Sequence, residues 1–136
     1  MFRKIDDSIS VAPQITPAQV AEAAKLGFTL VINNRPDGEE PGQPSAAEIE
    51  AAAKAAGLGY VAIPITHQGF SEAQVAAMGE ALASASGPVL AFCRSGTRST
   101  LVWALAQGRA GIDYATLAGK AAGAGYDLGP IRGFFG

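Results

Sequence analysis

Three short apolar runs stand out in the hydrophobic pattern of the chain: FTLVIN at 28–33, YVAIPI at 60–65 and PVLAFC at 88–93. Each run is continuous and does not alternate with polar residues, which is typical of a strand buried on both faces of a parallel sheet. A further run, SISVA at 8–12, predicts an additional strand at the edge of the sheet. All four runs are much shorter than the ~20 apolar residues that cross a bilayer.

An alanine-rich segment precedes each of the three main runs and opens with a capping box, in which a hydroxyl residue is followed three positions later by Gln or Glu. A glycine follows each segment, at the position where a helix commonly ends in the left-handed conformation. The segments therefore predict three helices. The boxes begin at Thr16, Ser45 and Ser71, and the closing glycines are Gly27, Gly57 and Gly87.

Two more helices are predicted, from Thr97 or Arg98 to Gln107 and from Tyr114 to Ala122. Helices and buried strands thus alternate, which predicts an α/β fold with a mainly parallel sheet of about four to five strands flanked by helices. The 136 residues suit a single domain, expected over 1–136. The glycine-rich tail GAGYDLGPIRGFFG predicts structure only weakly.

The charge balance limits the partners of the chain. With 10 Lys and Arg against 12 Asp and Glu, the net charge is -2, so no basic face for nucleic acid is expected. The start MFRKIDDSIS lacks the apolar core of a signal peptide, and we expect a cytoplasmic protein with no membrane partner. One Cys and one His exclude an internal disulfide and the usual zinc cage, so neither metal nor cofactor is expected.

The single cysteine, Cys93, ends the third apolar run and is followed directly by RSGTRS at 94–99. In an open parallel sheet, ligands bind beyond the carboxyl ends of the strands, where the turns at 33–44, 65–71 and 93–98 are predicted to meet. The turn after Cys93 leads straight into a helix. Its backbone N–H groups are therefore predicted to form a bowl that binds anions.

Two interpretations of Cys93 follow. A free cysteine at a strand end is often simply a small buried hydrophobe. The arginines and glycine beside it favour a nucleophilic thiolate, which a positive helix end and neighbouring cations stabilise. In this second interpretation Arg98 holds an oxyanion through a fork of N–H groups and Ser99 donates a hydrogen bond to the thiolate. The predicted anion-binding residues are Arg94, Ser95, Gly96 and Thr97, with Arg94 equally expected to point to solvent.

The stretch GPVLAFCRSGTRSTLVWAL resembles the signature of the phosphatase-like domain of beta-lactamase hydrolase-like proteins, a bacterial family also described as sulfur transferases. Segments 31–45 (VINNRPDGEEPGQPS) and 60–75 (YVAIPITHQGFSEAQV) resemble further parts of that domain. The resemblance implies a fold like that of tyrosine and dual-specificity phosphatases and a loop related to that of rhodaneses. It also implies a persulfide dioxygenase as a partner, fused in some members. Only the cysteine-bearing domain is expected here.

The number of residues between the cysteine and the arginine of the loop distinguishes two possible activities. Tyrosine and dual-specificity phosphatases use Cys-x5-Arg, whereas this chain has four residues between Cys93 and Arg98 and resembles single-domain rhodaneses. A smaller bowl suits one persulfide sulfur, so the leading expectation is sulfur transfer from a small-molecule or protein thiol or sulfane sulfur donor. The alternative is a phosphatase that cleaves a phosphoester through a phosphocysteine at Cys93. A third possibility is a sensor that binds an anion or persulfide without turnover.

Phosphatases of this fold usually place a proton-donating aspartate shortly after the strand that corresponds to YVAIPI, where this chain has Thr-His-Gln-Gly at 66–69. Proton donation would then fall to His67 or to Asp37. Arg35 and Asp37 are also candidates for the border of the pocket, because the loop at 33–44 is long for a compact domain. Sulfur transfer to a thiolate needs no proton donor.

Overall fold

The computed structural model describes residues 2–135. Within these residues, five short strands form one sheet in the spatial order β1-β2-β5-β3-β4. The pair β1 and β2 is antiparallel, and the other three pairings are parallel. The sequence therefore correctly predicts a mainly parallel α/β sheet. The strands are β1 (Arg3–Asp6), β2 (Ile9–Ala12), β3 (Leu30–Asn33), β4 (Gly59–Ala62) and β5 (Val89–Phe92).

In the described part of the chain, five α-helices and a 3-10 helix connect and follow the strands. The three predicted capping boxes are all formed, each with both reciprocal hydrogen bonds. These boxes satisfy backbone N–H groups that a helix start would otherwise leave unpaired, and so they fix where the first three helices begin. The helices are α1 (Pro17–Lys25), α2 (Ala46–Ala55), α3 (Glu72–Ser84), α4 (Thr97–Arg109) and α5 (Tyr114–Gly123), followed by the 3-10 helix Gly129–Phe135.

Helices cover both faces of the sheet. Alternate residues of β5 therefore pack into two separate hydrophobic cores. In β5, Leu90 and Phe92 pack on the side of α1 and α2, whereas Val89 and Ala91 pack on the side of α3, α4 and α5. Trp103 of α4 is fully buried in the second core. This double burial explains why the run before Cys93 is continuously apolar.

The expectation that SISVA forms the edge strand is wrong. β2 lies between β1 and β5, and the edge on that side is β1, whose polar sequence RKID gives no strand signal. At the other edge lies β4, where Tyr60 and Val61 are only half-buried. The run YVAIPI therefore extends beyond its strand, and its buried residues Ile63 and Ile65 belong to the following loop.

The predicted role of Gly87 is also wrong, whereas Gly27 and Gly57 have the positive φ of a helix end. Helix α3 ends at Ser84, and Gly87 does not adopt a positive φ. A Cβ at Gly87 would lie 2.8 Å from Cγ2 of Thr29, so close packing against Thr29 is what requires glycine here.

The tail has more structure than its composition predicts. Leu128 and Ile131 are each 1% exposed and belong to the core beside α4 and α5. Gly125 ends α5 with a φ of +92°, and the N–H of Tyr126 donates to the carbonyl of Ala121 at 2.9 Å. The segment after α5 is thus anchored on both sides of Tyr126.

Within residues 2–135, every helix is too short or too polar to traverse a lipid bilayer.

Candidate active site

The loops after β3, β4 and β5 meet at one edge of the sheet, as the parallel topology requires. The N–H of Asn34 donates to the carbonyl of Phe92 at 2.8 Å, directly before Cys93. The N–H of Ile63 donates to the carbonyl of Asn33, also at 2.8 Å, and the N–H of Ile65 donates to the carbonyl of Asn34 at 2.9 Å. Three carboxyl ends are therefore joined by backbone hydrogen bonds, and the loops that follow them build one site.

Cys93 lies fully buried at the base of the turn that leads into α4. Its Sγ accepts a hydrogen bond from the backbone N–H of Gly96 at 3.1 Å. Gly96 is the N-cap of α4 and has a φ of +90°, a conformation that side-chain-bearing residues rarely adopt. The N–H groups of the first turn of α4 have no partner four residues earlier, so this helix end favours a negative charge placed beside it.

Residues 93–99 form the Cys93 loop. Three consecutive backbone carbonyls of this loop each accept a hydrogen bond. Because a trans peptide directs its C=O and N–H to opposite sides, a bound carbonyl fixes the direction of the next N–H. The N–H of Gly96 meets Cys93 Sγ, whereas that of Thr97 donates to Ser95 Oγ at 3.4 Å. Peptide units fixed in this way are what an anion-binding bowl requires. The carbonyl of Arg94 accepts from the N–H of Gln14 at 3.4 Å, that of Ser95 from the Tyr126 hydroxyl at 2.9 Å, and that of Gly96 from the N–H and Oγ1 of Thr100 at 3.0 and 2.8 Å.

The guanidinium of Arg98 is bound to the carboxylate of Glu39. Nη1 donates to Oε2 at 2.8 Å and Nη2 donates to Oε1 at 2.7 Å, while Nη1 also donates to the carbonyl of Ile65 at 2.6 Å. Of the five N–H groups of an arginine, three are thus used. The Nε–H and the second N–H of Nη2 remain, and these two neighbours form a fork that matches an oxyanion.

The pair of Glu39 and Arg98 is ionised under all ordinary conditions. The hydrogen bonds from Arg98 lower the pKa of Glu39 from 4.5 to about 2, assisted by Arg35 and opposed by burial. In return, the hydrogen bond with Glu39 raises the pKa of Arg98, and negative charge at Cys93 adds to this effect. Glu39 is therefore a fixed carboxylate and not a proton donor near neutral pH.

Arg35 holds the loop that carries Glu39. Its guanidinium is only 1% exposed and contacts three side chains: Nε donates to Glu39 at 2.9 Å, Nη1 to Gln14 at 3.1 Å and Nη2 to Glu40 at 3.0 Å. The long loop after β3 is consequently organised around a buried cation. The sequence places Arg35 at the pocket border, and the structure shows that it reaches Arg98 through their shared partner, Glu39.

The small polar residues predicted to bind the anion lie on the outer part of the Cys93 loop. Ser95 Oγ donates to Thr97 Oγ1 at 3.0 Å, and both residues are exposed. Arg94 is 61% exposed, and its Nη2 lies 3.8 Å from Glu40. The second of the two orientations considered for Arg94, toward solvent, is the one that the structure has.

Ser99 does not form the predicted hydrogen bond. Its Oγ is fully buried next to Arg98 in α4, and among residues 2–135 it has no hydrogen-bond partner, Cys93 Sγ included. The donor to Sγ is the backbone of Gly96 instead. The physical reason is the left-handed turn at Gly96, which directs a peptide N–H at the sulfur.

Neither Asp37 nor His67 forms a hydrogen bond with Cys93. Oδ1 of Asp37 accepts the N–H of Ala46 at 2.7 Å, so this carboxylate stabilises the start of α2. His67 is exposed in the turn at 66–69, with no hydrogen bond to the residues that the structure describes. The predicted roles of these two side chains as proton donors therefore gain no support from their positions.

Sequence reasoning missed the side chains of Glu39 and Tyr126. Glu39 lies within a loop whose length alone marked it as a candidate. Tyr126 lies in the tail, and its contact with Ser95 spans 31 residues of sequence. No local pattern signals either contact, because each depends on how distant segments are packed together.

The sheet order, the flanking helices and the Cys93 loop at the carboxyl edge define a domain with the fold of tyrosine and dual-specificity phosphatases. A kinase-associated phosphatase with its catalytic-site cysteine replaced by serine superposes with a TM-score of 0.74 at 15% identity, covering 99% of this chain and 95% of that one. TpbA of P. aeruginosa, with a cysteine replaced by serine and in complex with phosphotyrosine, has a TM-score of 0.61 at 17% identity, covering 98% and 89%. These likenesses establish the fold.

Residues 1–112 match the family described as beta-lactamase hydrolase-like protein, phosphatase-like domain, and the chain belongs to this family. The beta-lactamase hydrolase-like protein of Agrobacterium fabrum is 38% identical over 76% of this chain and 24% of its own length. The protein of the same name from Xylella fastidiosa strain Temecula1 is 37% identical over 92% of this chain and 29% of its own length. The chain thus spans about a quarter of the length of these relatives.

A solved structure described as a phosphatase candidate, from Neisseria meningitidis Z2491, is similar over almost its whole length. It is 33% identical to this chain and superposes with a TM-score of 0.85. The match covers 98% of this chain and 94% of that one. The resemblance inferred from the sequence is thereby confirmed. The comparisons favour a phosphatase activity over sulfur transfer. Sulfur transfer is the activity that the short spacing between Cys93 and Arg98 had favoured.

Proposed function

We propose that this chain is a cysteine-dependent phosphatase that hydrolyses aryl phosphomonoesters, with Cys93 as its nucleophile. The observation that carries the proposal is the Cys93 loop itself, where Sγ meets the N–H of Gly96 at 3.1 Å and Arg98 keeps an unused fork of N–H groups. Membership of a phosphatase-like family supports it. A structural neighbour that was solved with phosphotyrosine supports the choice of substrate class.

The reaction needs two displacements at phosphorus. The Cys93 thiolate attacks, an S–P bond forms, and the P–O bond to the leaving group breaks with its electron pair going to that oxygen. Water then attacks the phosphocysteine, the S–P bond breaks, and inorganic phosphate and the thiolate are released. Backbone N–H groups of the Cys93 loop and the free fork of Arg98 are positioned to stabilise charge on the non-bridging oxygens in both steps.

The state of the carboxylates and the histidine in the neighbouring loops decides which esters are favoured. Glu39 has a pKa of about 2 and is ionised, Oδ1 of Asp37 accepts the N–H of Ala46, and His67 is exposed with no hydrogen bond to residues 2–135. A leaving oxygen must then depart largely without a proton. Phenols ionise at about pH 10, far more readily than alcohols, so an aryl phosphate such as phosphotyrosine is the preferred class.

The test compares hydrolysis of para-nitrophenyl phosphate, a phosphotyrosine peptide and a phosphoserine peptide. We expect the first two to be cleaved, the third to be cleaved much more slowly, and Cys93→Ser to lose all activity. Arg98→Lys should lower kcat about 10²-fold, as removal of a positioned oxyanion donor does. Arg109→Lys is the control, because Arg109 pairs with Glu72 on the surface at the far end of α4. Equal rates for Cys93→Ser and the unmodified chain would end the proposal.

Sulfur transfer is the second candidate, and the short spacing from Cys93 to Arg98 is the observation that favours it. In this reaction the Cys93 thiolate attacks the outer sulfur of thiosulfate, an S–S bond forms, and sulfite leaves. A thiolate acceptor then takes that sulfur and regenerates Cys93. No proton donor is needed at any step, so this reaction does not depend on where Asp37 and His67 lie.

Intact-protein mass spectrometry separates the two candidates. A gain of one sulfur atom after incubation with thiosulfate or glutathione persulfide, on the unmodified chain but not on Cys93→Ser, would support sulfur transfer. Hydrolysis of aryl phosphate without that gain supports the phosphatase. Binding of phosphate or sulfate with neither reaction would identify the chain as an anion sensor.

A further inference from the structure

The tail beyond the family match contributes a side chain to the Cys93 loop. The match ends at residue 112, and Tyr126 lies fourteen residues later, three residues after the end of α5. Its hydroxyl donates to the carbonyl of Ser95 at 2.9 Å. Its backbone is fixed by the hydrogen bond to Ala121, and the buried Leu128 follows it closely. A rigid segment therefore presents this hydroxyl to the loop.

The peptide unit between Ser95 and Gly96 is the point at which Tyr126 acts. Its carbonyl is bound by Tyr126, and its N–H is the group that donates to Cys93 Sγ at 3.1 Å. These two groups point in opposite directions across a planar trans peptide. If the carbonyl lost its partner and the unit rotated, the negative end of its dipole would face the sulfur. Glycine at position 96 leaves the backbone free to make that rotation.

Other contacts show that the phenol is built into this position. A Cβ on Gly96 would lie 2.1 Å from the Tyr126 oxygen, so the ring lies directly against the loop. Burial raises the pKa of Tyr126, Arg3 opposes this and negative charge at Cys93 adds to it, which keeps the hydroxyl protonated and able to donate. The Arg3 guanidinium lies 5.4 Å from the centre of the ring. Tyr126 thus lies between a cation and the loop.

We propose that Tyr126 is a positioning residue for the nucleophile: its hydrogen bond to the Ser95 carbonyl holds the Gly96 N–H toward Cys93 Sγ. The inference rests on the proposed function in taking Cys93 as the nucleophile. It applies equally to phosphoryl and sulfur transfer, since both begin from the same thiolate. It also assigns a role in the site to a segment outside the matched family region.

The test uses Tyr126→Phe, which keeps the ring and removes only the hydroxyl. Because Cys93 is the only cysteine, the rate of alkylation by iodoacetamide as a function of pH reports on this thiol alone. We expect the midpoint of that profile to move to higher pH, and kcat/KM for a phosphotyrosine peptide to fall about tenfold, as loss of a hydrogen bond to an anion does. The control is Tyr114→Phe, since Tyr114 packs on Phe135, away from the Cys93 loop.

A purely structural role predicts a different result. Tyr126→Phe would then lower the unfolding midpoint but leave the alkylation profile the same as in the unmodified chain and in Tyr114→Phe. This outcome would overturn the proposal. The Gly96 amide resonance gives a second measurement, which should shift in Tyr126→Phe as its bond to sulfur weakens. Alkylation requires no substrate, so failure of the phosphatase assay in the unmodified chain would reject the proposed function and leave this inference to be judged by alkylation.

Discussion

The carboxylate of Glu39 binds both terminal nitrogens of the Arg98 guanidinium, at 2.8 and 2.7 Å, across 59 residues of sequence. This ion pair joins the loop after β3 to the first turn of α4. It uses the outer edge of the guanidinium and leaves the Nε side unused, so Glu39 orients Arg98 and does not occupy the position of a bound oxyanion. The function of Arg98 therefore depends on a residue from a separate loop.

The first prediction concerns Glu39→Gln. The amide keeps the shape and one acceptor oxygen but loses the charge and one of the two hydrogen bonds to Arg98, so the guanidinium is held less firmly. We expect kcat/KM for an aryl phosphate to fall about tenfold, which corresponds to one hydrogen bond to a charged group. Steady-state kinetics at neutral pH measure this effect.

The neighbouring carboxylate provides the matched control. Glu40 lies in the same loop and pairs with Arg35 and more loosely with Arg94, but makes no contact with Arg98. Glu40→Gln should therefore leave kcat/KM within about twofold of the unmodified chain. Equal losses in the two variants would mean that the loop as a whole matters and that the pair with Arg98 has no special role.

The second prediction is a pH dependence of stability. The pKa of Glu39 is about 2 in the folded chain against 4.5 ordinarily, chiefly because of hydrogen bonds from Arg98. A carboxyl with a lowered pKa stabilises the folded state above its ordinary pKa, and this contribution is lost as the pH falls toward the folded value. Urea unfolding should show the unmodified chain more stable than Glu39→Gln at pH 7, with the difference shrinking between pH 4.5 and about 2.

The surface carboxylate Glu80 supplies the comparison for that experiment. Glu80 is exposed on α3 and has no ion pair within residues 2–135. The difference between the unmodified chain and Glu80→Gln should stay small at every pH. A difference for Glu39→Gln that is constant from pH 7 to pH 3 would contradict an ion-pair origin.

Local signals predict the helices well, whereas long-range contacts are what the sequence does not reveal. The capping boxes at Thr16, Ser45 and Ser71 fix helix starts because their hydrogen bonds lie within four residues of one another. The order of strands and the polar edge strand β1 depend on pairings between distant segments.

The same distinction holds in the site. Cys93, Gly96 and Arg98 share one loop whose sequence predicts an anion-binding turn. Their orienting partners, Glu39 and Tyr126, come from segments 59 and 31 residues away from the residues they contact. Such contacts depend on the packed tertiary structure, and no periodicity or local motif encodes them.

The third prediction concerns Gly96→Ala. Alanine at a φ of +90° is strained, and its Cβ would also collide with the Tyr126 oxygen at 2.1 Å. Gly27→Ala is the matched control, because Gly27 has a φ of +95° and nothing within 4 Å of the added Cβ. The backbone strain alone should cost about 1–3 kcal/mol in either variant.

The additional cost in Gly96→Ala measures the contact with Tyr126. We expect urea unfolding to show a greater loss of stability for Gly96→Ala than for Gly27→Ala, and phosphatase activity to be lost only in Gly96→Ala. Equal stabilities together with full activity in both variants would show that the turn at Gly96 tolerates a side chain and that Tyr126 moves aside freely.

The last prediction concerns Arg35→Lys. The guanidinium of Arg35 is 1% exposed and binds Glu39, Glu40 and Gln14 at once, a geometry that the single ammonium of lysine does not reproduce. Loss of hydrogen bonds to charged groups costs about 1.5–3 kcal/mol, so the free energy of unfolding should fall by about that amount. Arg109→Lys, at a surface pair that is about half exposed, should change it by less than about 1 kcal/mol. Because Glu39 also loses a hydrogen bond, Arg35→Lys should lower kcat/KM, as Glu39→Gln does. A stable, fully active Arg35→Lys would show that the loop holds Glu39 without the guanidinium of Arg35.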